Sequence, residues 1–133
     1  MSAPWQITSG TVAAGSQATA SQAVTTNEAT SGMVTRLRTI CASLVGTGGV
    51  ATGTLVIADG ASATSALAVW TIQMACVSGG GQIIHLADMD VRASVGNSLT
   101  VGFIAGGGGA IVQAVSATGD LVPVGAPAFY SNV

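Results

Sequence analysis

The sequence predicts an all-β protein, an antiparallel β-sandwich of jelly-roll-like type with an extended N-terminal arm and a C-terminal tail. Three observations predict it. From Val34 onward, apolar runs of four to twelve residues alternate with clusters of Gly, Ser, Asn and Asp. Within several runs, large and small or polar residues alternate with period two. No segment has an apolar stripe at helical spacing; Ala13 to Ala29 is rich in alanine but has none.

The pattern gives candidate strands at 34–45, 53–58, 67–77, 82–92, 98–105, 110–117 and 120–124. Turns fall at Gly46–Gly49, Asp59–Ser62, Ser78–Gly81, Gly96–Asn97, Gly106–Gly109 and Gly119–Asp120, because Gly, Asn and Asp accept positive φ angles. In 82–92, Ile83, His85, Ala87, Met89 and Val91 share one face, and Gln82, Ile84, Leu86, Asp88, Asp90 and Arg92 the other. In 67–77, Trp70, Ile72, Met74 and Cys76 share an apolar face, while Val69, Thr71, Gln73, Ala75 and Val77 form a half-polar one. Two mixed faces on one strand suit a contact between subunits. So many short strands fit two sheets packed around one core.

Residues 1–32 read as an extended arm of Ser, Thr, Ala, Gly and Gln, with short strands near 5–8 and 22–26. Trp5 and Ile7 are its anchors. Residues 33–124 form the sandwich. Residues 125–133 form an extended tail that ends in Phe129 and Tyr130, with Pro123 and Pro127 keeping it out of a central strand position.

Charge narrows the function. The chain is 49% hydrophobic but only 6% charged, against about 25% in an ordinary soluble domain. Its only basic residues are Arg36, Arg38 and Arg92, and net charge is −2, which excludes a nucleic-acid binder. Residues 61–87 and 93–119 carry no Asp, Glu, Lys or Arg, but glycine clusters break them well short of a membrane-spanning helix. The N-terminus lacks the basic and apolar regions of a secretory signal. A surface so poor in charge is best explained if neighbouring subunits cover it.

The chemical inventory is thin, and the reading is of no enzyme, no cofactor and no metal. The single histidine, His85, alternates with apolar neighbours and reads as a core or interface residue. There is no nucleophile elbow. Asp88 and Asp90 pair with arginines more simply than they hold calcium. The Gly106–Gly109 run lacks the Lys-Ser or Lys-Thr of a phosphate loop. Cys41 and Cys76 read as buried free thiols. Arg36 and Arg38 suit either a solvated edge or an ion pair with a neighbouring subunit. The interface candidates are therefore Trp5, Ile7, Arg36, Arg38, Phe129 and Tyr130.

The order Arg36-Leu-Arg38, then Leu55-Val-Ile-Ala-Asp59-Gly60, then Gln82-Ile-Ile-His-Leu86, then Val91-Arg-Ala-Ser-Val-Gly96-Asn-Ser-Leu-Thr-Val101 resembles the small β-sandwich decoration, cement or minor capsid proteins of tailed bacteriophages. The resemblance spans roughly residues 34–124. It implies a virion protein assembled in the host cytoplasm, a homo-oligomer with a trimer favoured, and a major capsid protein or other virion proteins as partners. Other virion positions (minor capsid, head-fibre base, tail-associated) fit the same residues. A carbohydrate-binding module needs exposed aromatics, and aromatics are only 4% of the chain.

Overall fold

The computed structural model describes residues 4–10, 12–22, 32–47, 51–77, 79–106 and 111–125. These hold nine strands and no helix: β1 (Trp5–Thr8), β2 (Thr19–Gln22), β3 (Met33–Gly46), β4 (Ala51–Asp59), β5 (Ala68–Cys76), β6 (Gly81–Leu86), β7 (Val91–Arg92), β8 (Leu99–Phe103) and β9 (Ile111–Pro123). One sheet runs β1-β9-β3-β6, with β7 also on β3; the other runs β2-β8-β4-β5. All pairings are antiparallel.

The connectivity is that of a rolled ribbon. The first half of the chain pairs with the second half in reverse order: β1 with β9, β2 with β8, β3 with β6 and β7, β4 with β5. Rolling this ribbon brings β9 beside β3 and β8 beside β4. Two interleaved sheets in this order make a jelly roll.

Between the sheets lies one apolar core. Leu37, Ile40 and Leu44 of β3 meet Leu55 and Ile57 of β4, Met74 of β5, Leu99, Val101 and Phe103 of β8, and Val115 of β9. Gly53 makes room for Phe103: a Cβ there would lie 2.9 Å from the ring. One buried amide ties the layers together. Gln113 is 1% exposed; its Oε1 accepts from the Ala18 N–H at 3.1 Å and its Nε2 donates to Ala105 O at 3.0 Å. Both ends of the side chain are satisfied, as burial demands.

Three sequence expectations change. The segment expected as an arm, in its described part, contributes an edge strand to each sheet, and the second lies at 19–22, earlier than 22–26. Strand 82–92 is interrupted, because Asp88 takes a left-handed φ of 57°. The turn expected at Gly119–Asp120 is absent; β9 runs straight through it.

Candidate interaction surface

All three arginines of the chain gather on one sheet. Arg36 on β3 stands opposite Asp120 on β9 and opposite Arg92 on β7. Two arginines side by side repel, and each is held by its own carboxylate. Arg36 Nε donates to Asp120 Oδ1 at 2.9 Å and Nη2 to Oδ2 at 2.8 Å. Arg92 Nε donates to Asp90 Oδ1 at 2.8 Å and Nη2 to Oδ2 at 3.1 Å. Both are bidentate forks, the strongest geometry for this pair. The left-handed turn at Asp88 swings Asp90 back to Arg92, and the Met89 N–H closes it by donating to Arg38 O at 3.0 Å. Arg38 Nη1 approaches Asp120 Oδ2 at 3.8 Å. The Asp120 hydrogen bonds hold the Arg36 pKa above its ordinary value, burial acting in the opposite sense.

Arg36 is thus not at a solvated edge. It is 7% exposed on an interior strand, paired within its own chain. The sequence shows two arginines on one strand face but not that the partner carboxylate stands 84 residues away.

Trp5 sits beside this cluster. A β-carbon at Gly119, its partner across the β1–β9 ladder, would overlap both Arg36 O and the indole. The bare glycine therefore lets the ring lie against β9, where Trp5 Nε1 donates to Asp120 O at 3.1 Å. Ile7, two residues on, packs against the core. An open cleft of about 510 Å³ adjoins the indole, lined by Pro4, Gln6, Arg38 and Thr118 with Trp5, Gly119 and Asp120. Phe129 and Tyr130 lie outside the described residues.

His85 is exposed on β6, facing outward with Ile83 and opposite Cys41 of β3. Alternation puts Ile83 and His85 on one face but does not say which face is inward, and the break at Asp88 parts them from Met89 and Val91, which pack on the core with Ile84 and Leu86. Cys41 and Cys76 are half-buried free thiols on different sheets. Among the described residues no group of three His, Cys, Asp or Glu is placed to hold a metal ion. No described helix is long and apolar enough to cross a membrane.

Asp59 has a separate task. Burial pushes its carboxyl up, but hydrogen bonds from Ser94 and Asn97 outweigh this and hold it below its ordinary 3.8. Oδ1 accepts from the Ser94 N–H at 2.9 Å and from Asn97 Nδ2 at 3.0 Å, and Oδ2 from Ser94 Oγ at 2.5 Å. The carboxylate clamps the loop before β8 onto the end of β4. A depressed carboxyl stabilises the fold fully above its unfolded value and loses that contribution as pH falls through the folded one. Asp59→Asn therefore lowers stability at neutral pH, by no more than about 1 kcal/mol for so exposed a group. In urea titrations the gap between variant and wild type should close at a pH below the folded value. A gap that persists there would show that the charge is irrelevant.

No protein-family model matches the chain, and no curated protein is similar to it. Among solved structures it is similar to the coat protein of Tobacco streak virus, at 7% identity and a TM-score of 0.36, over 99% of this chain and 93% of that one.

Proposed function

We propose that this chain is a structural virion protein that decorates or cements a tailed-bacteriophage capsid by packing against other subunits. The observation that carries this reading is where the charges lie. Of the eight charged side chains in the sequence, Arg36, Arg38, Arg92, Asp90 and Asp120 are engaged with one another in a single cluster. Asp59 is bound to its loop. Among the described residues that leaves Asp88 as the exposed charge outside such contacts. Meanwhile Val69, Val77, Ile83, Val95 and Val124 are each more than half exposed. A free domain with so little surface charge associates. A subunit covered by neighbours is at ease.

The sequence resemblance supplies the decoration role and favours a trimer with a major capsid protein as partner. The jelly-roll strand order favours a second reading, a coat or minor capsid subunit within the shell, since that architecture recurs in capsids, although it also serves lectins and cupins. Against a sugar-binding role, the described aromatics Trp5 and Trp70 are half-buried and Phe103 is fully buried, leaving no exposed stacking platform among them.

Labelling purified virus particles with an antibody to this chain separates these readings in electron micrographs. Label on the outer surface of intact capsids supports decoration. Label only on opened shells supports the second reading. Particles free of the chain overturn both.

A further inference from the structure

We infer that strand β5 is a self-pairing edge, through which two copies of this chain join antiparallel across a two-fold axis near Ile72. Among the described residues β5 is the terminal strand of its sheet, with β4 on one side only. The parity of its free groups follows from one contact. The Ala75 N–H donates to Gln82 Oε1 of β6 at 2.8 Å, so it points away from β4. Backbone groups alternate along an antiparallel strand, and the register from Thr52↔Ala75 to Ile57↔Trp70 is unbroken. Thr71 and Gln73 therefore also direct their N–H and C=O to the open side.

Both ends of this edge are closed. At one end the Gln82 side chain occupies the Ala75 N–H. At the other the β4 register shifts between Ile57 and Ala58, leaving Val69 as an extra residue in a bulge, a common way of ending strand pairing. Among the described residues, what stays open is the run Trp70 to Met74, and its midpoint is Ile72. A two-fold axis there sets Thr71 opposite the partner copy's Gln73 as a hydrogen-bonded pair, and Gln73 opposite the partner's Thr71.

Charge favours a second copy as the occupant. Residues 61–87 contain no Asp, Glu, Lys or Arg, so the edge lacks the charges that usually prevent self-pairing and offers a charged partner nothing to recognise. A like surface meets it without repulsion. The five open residues span about 17 Å, enough for a short two-stranded ladder across the axis. Such a contact is isologous. It is distinct from any three-fold contact and does not depend on the virion reading.

The test uses single variants Thr71→Cys and Gln73→Cys of the full chain, oxidised separately and mixed, with the wild type as blank for Cys41 and Cys76. A hydrogen-bonded pair places Cα atoms about 5.5 Å apart, within disulfide reach. The mixture should give a cross-linked dimer on a non-reducing gel, well above either variant alone. Equal cross-linking in all samples, or none in the mixture, overturns the pairing. Thr71→Pro removes an outward N–H without touching the β4 ladder. By sedimentation it should halve the mass of the assembly while the melting curve stays cooperative; an unchanged mass overturns the proposal. Should Thr71→Pro fail to fold, Thr71→Lys is read the same way. A wild type that sediments as a monomer, or a strand of another protein found on this edge while copies fail to pair, also overturns it. Because only the purified chain is used, failure here leaves the virion reading standing, and particles free of the chain would leave this pairing standing.

Discussion

Replacing Asp120 by alanine should destabilise the fold by about 3–5 kcal/mol, the usual consequence of stranding one partner of a buried ion pair. Arg36 is 7% exposed, and its side chain has both hydrogen-bonding edges of the fork on Asp120. Without the carboxylate it keeps its charge, since an arginine does not deprotonate, and loses both bonds of the fork. For a domain of this size the loss corresponds to a fall in melting temperature of about 10 °C or more. The double variant Arg36→Leu with Asp120→Leu should recover most of it, because an apolar pair of matched volume often replaces a buried ion pair at little cost. Calorimetry on the three variants checks both statements. A single variant as stable as wild type would mean that solvent reaches Arg36 freely.

Gly119→Ala should cost about 2–3 kcal/mol, the upper range for forcing added volume into a packed site. The clash is with backbone as well as side chain: a β-carbon would overlap Arg36 O, and would lie 2.7 Å from Trp5 Cε2. The indole can swing away, but β3 cannot. The β1–β9 pairing should loosen, so Trp5 emission should shift red while the core around Phe103 stays intact. An unshifted spectrum with wild-type stability would contradict the placement of Trp5 over β9.

Much of the fold was legible in the sequence, for an identifiable reason. Strands packed on the core by one face alternate with period two, and β5 and β6 do so. What alternation cannot report is which face is inward. Ile83 and His85 group as an apolar pair, yet Ile83 is 73% exposed, and Ile84 and Leu86 do the packing. Glycine misled at position 119, where it serves close approach to Trp5 and not a turn. Asp88 misled in the opposite sense, as a non-glycine residue in a left-handed conformation that splits one expected strand into β6 and β7. β2 lacks large side chains; its signal is a buried Ala20 and the backbone ladder to β8. The rolled order was beyond reach, since pairings such as Trp5 with Gly119 join the two ends of the chain. The candidate surface was half legible. The sequence marks Trp5, Ile7, Arg36 and Arg38 as candidates, but Asp120, whose carboxylate lies against both arginines, stands in a segment the sequence reads as a turn.

The most direct test of the central claim, that this jelly roll works as a packed component of a virus particle, is co-sedimentation of the purified chain with intact capsids from the same source. The account predicts that the chain pellets with the capsids up to a saturating, fixed number of copies per particle. Because the chain carries so few charges, added salt should weaken this binding little. A chain that stays in the supernatant at every ratio, while remaining folded, would contradict the account.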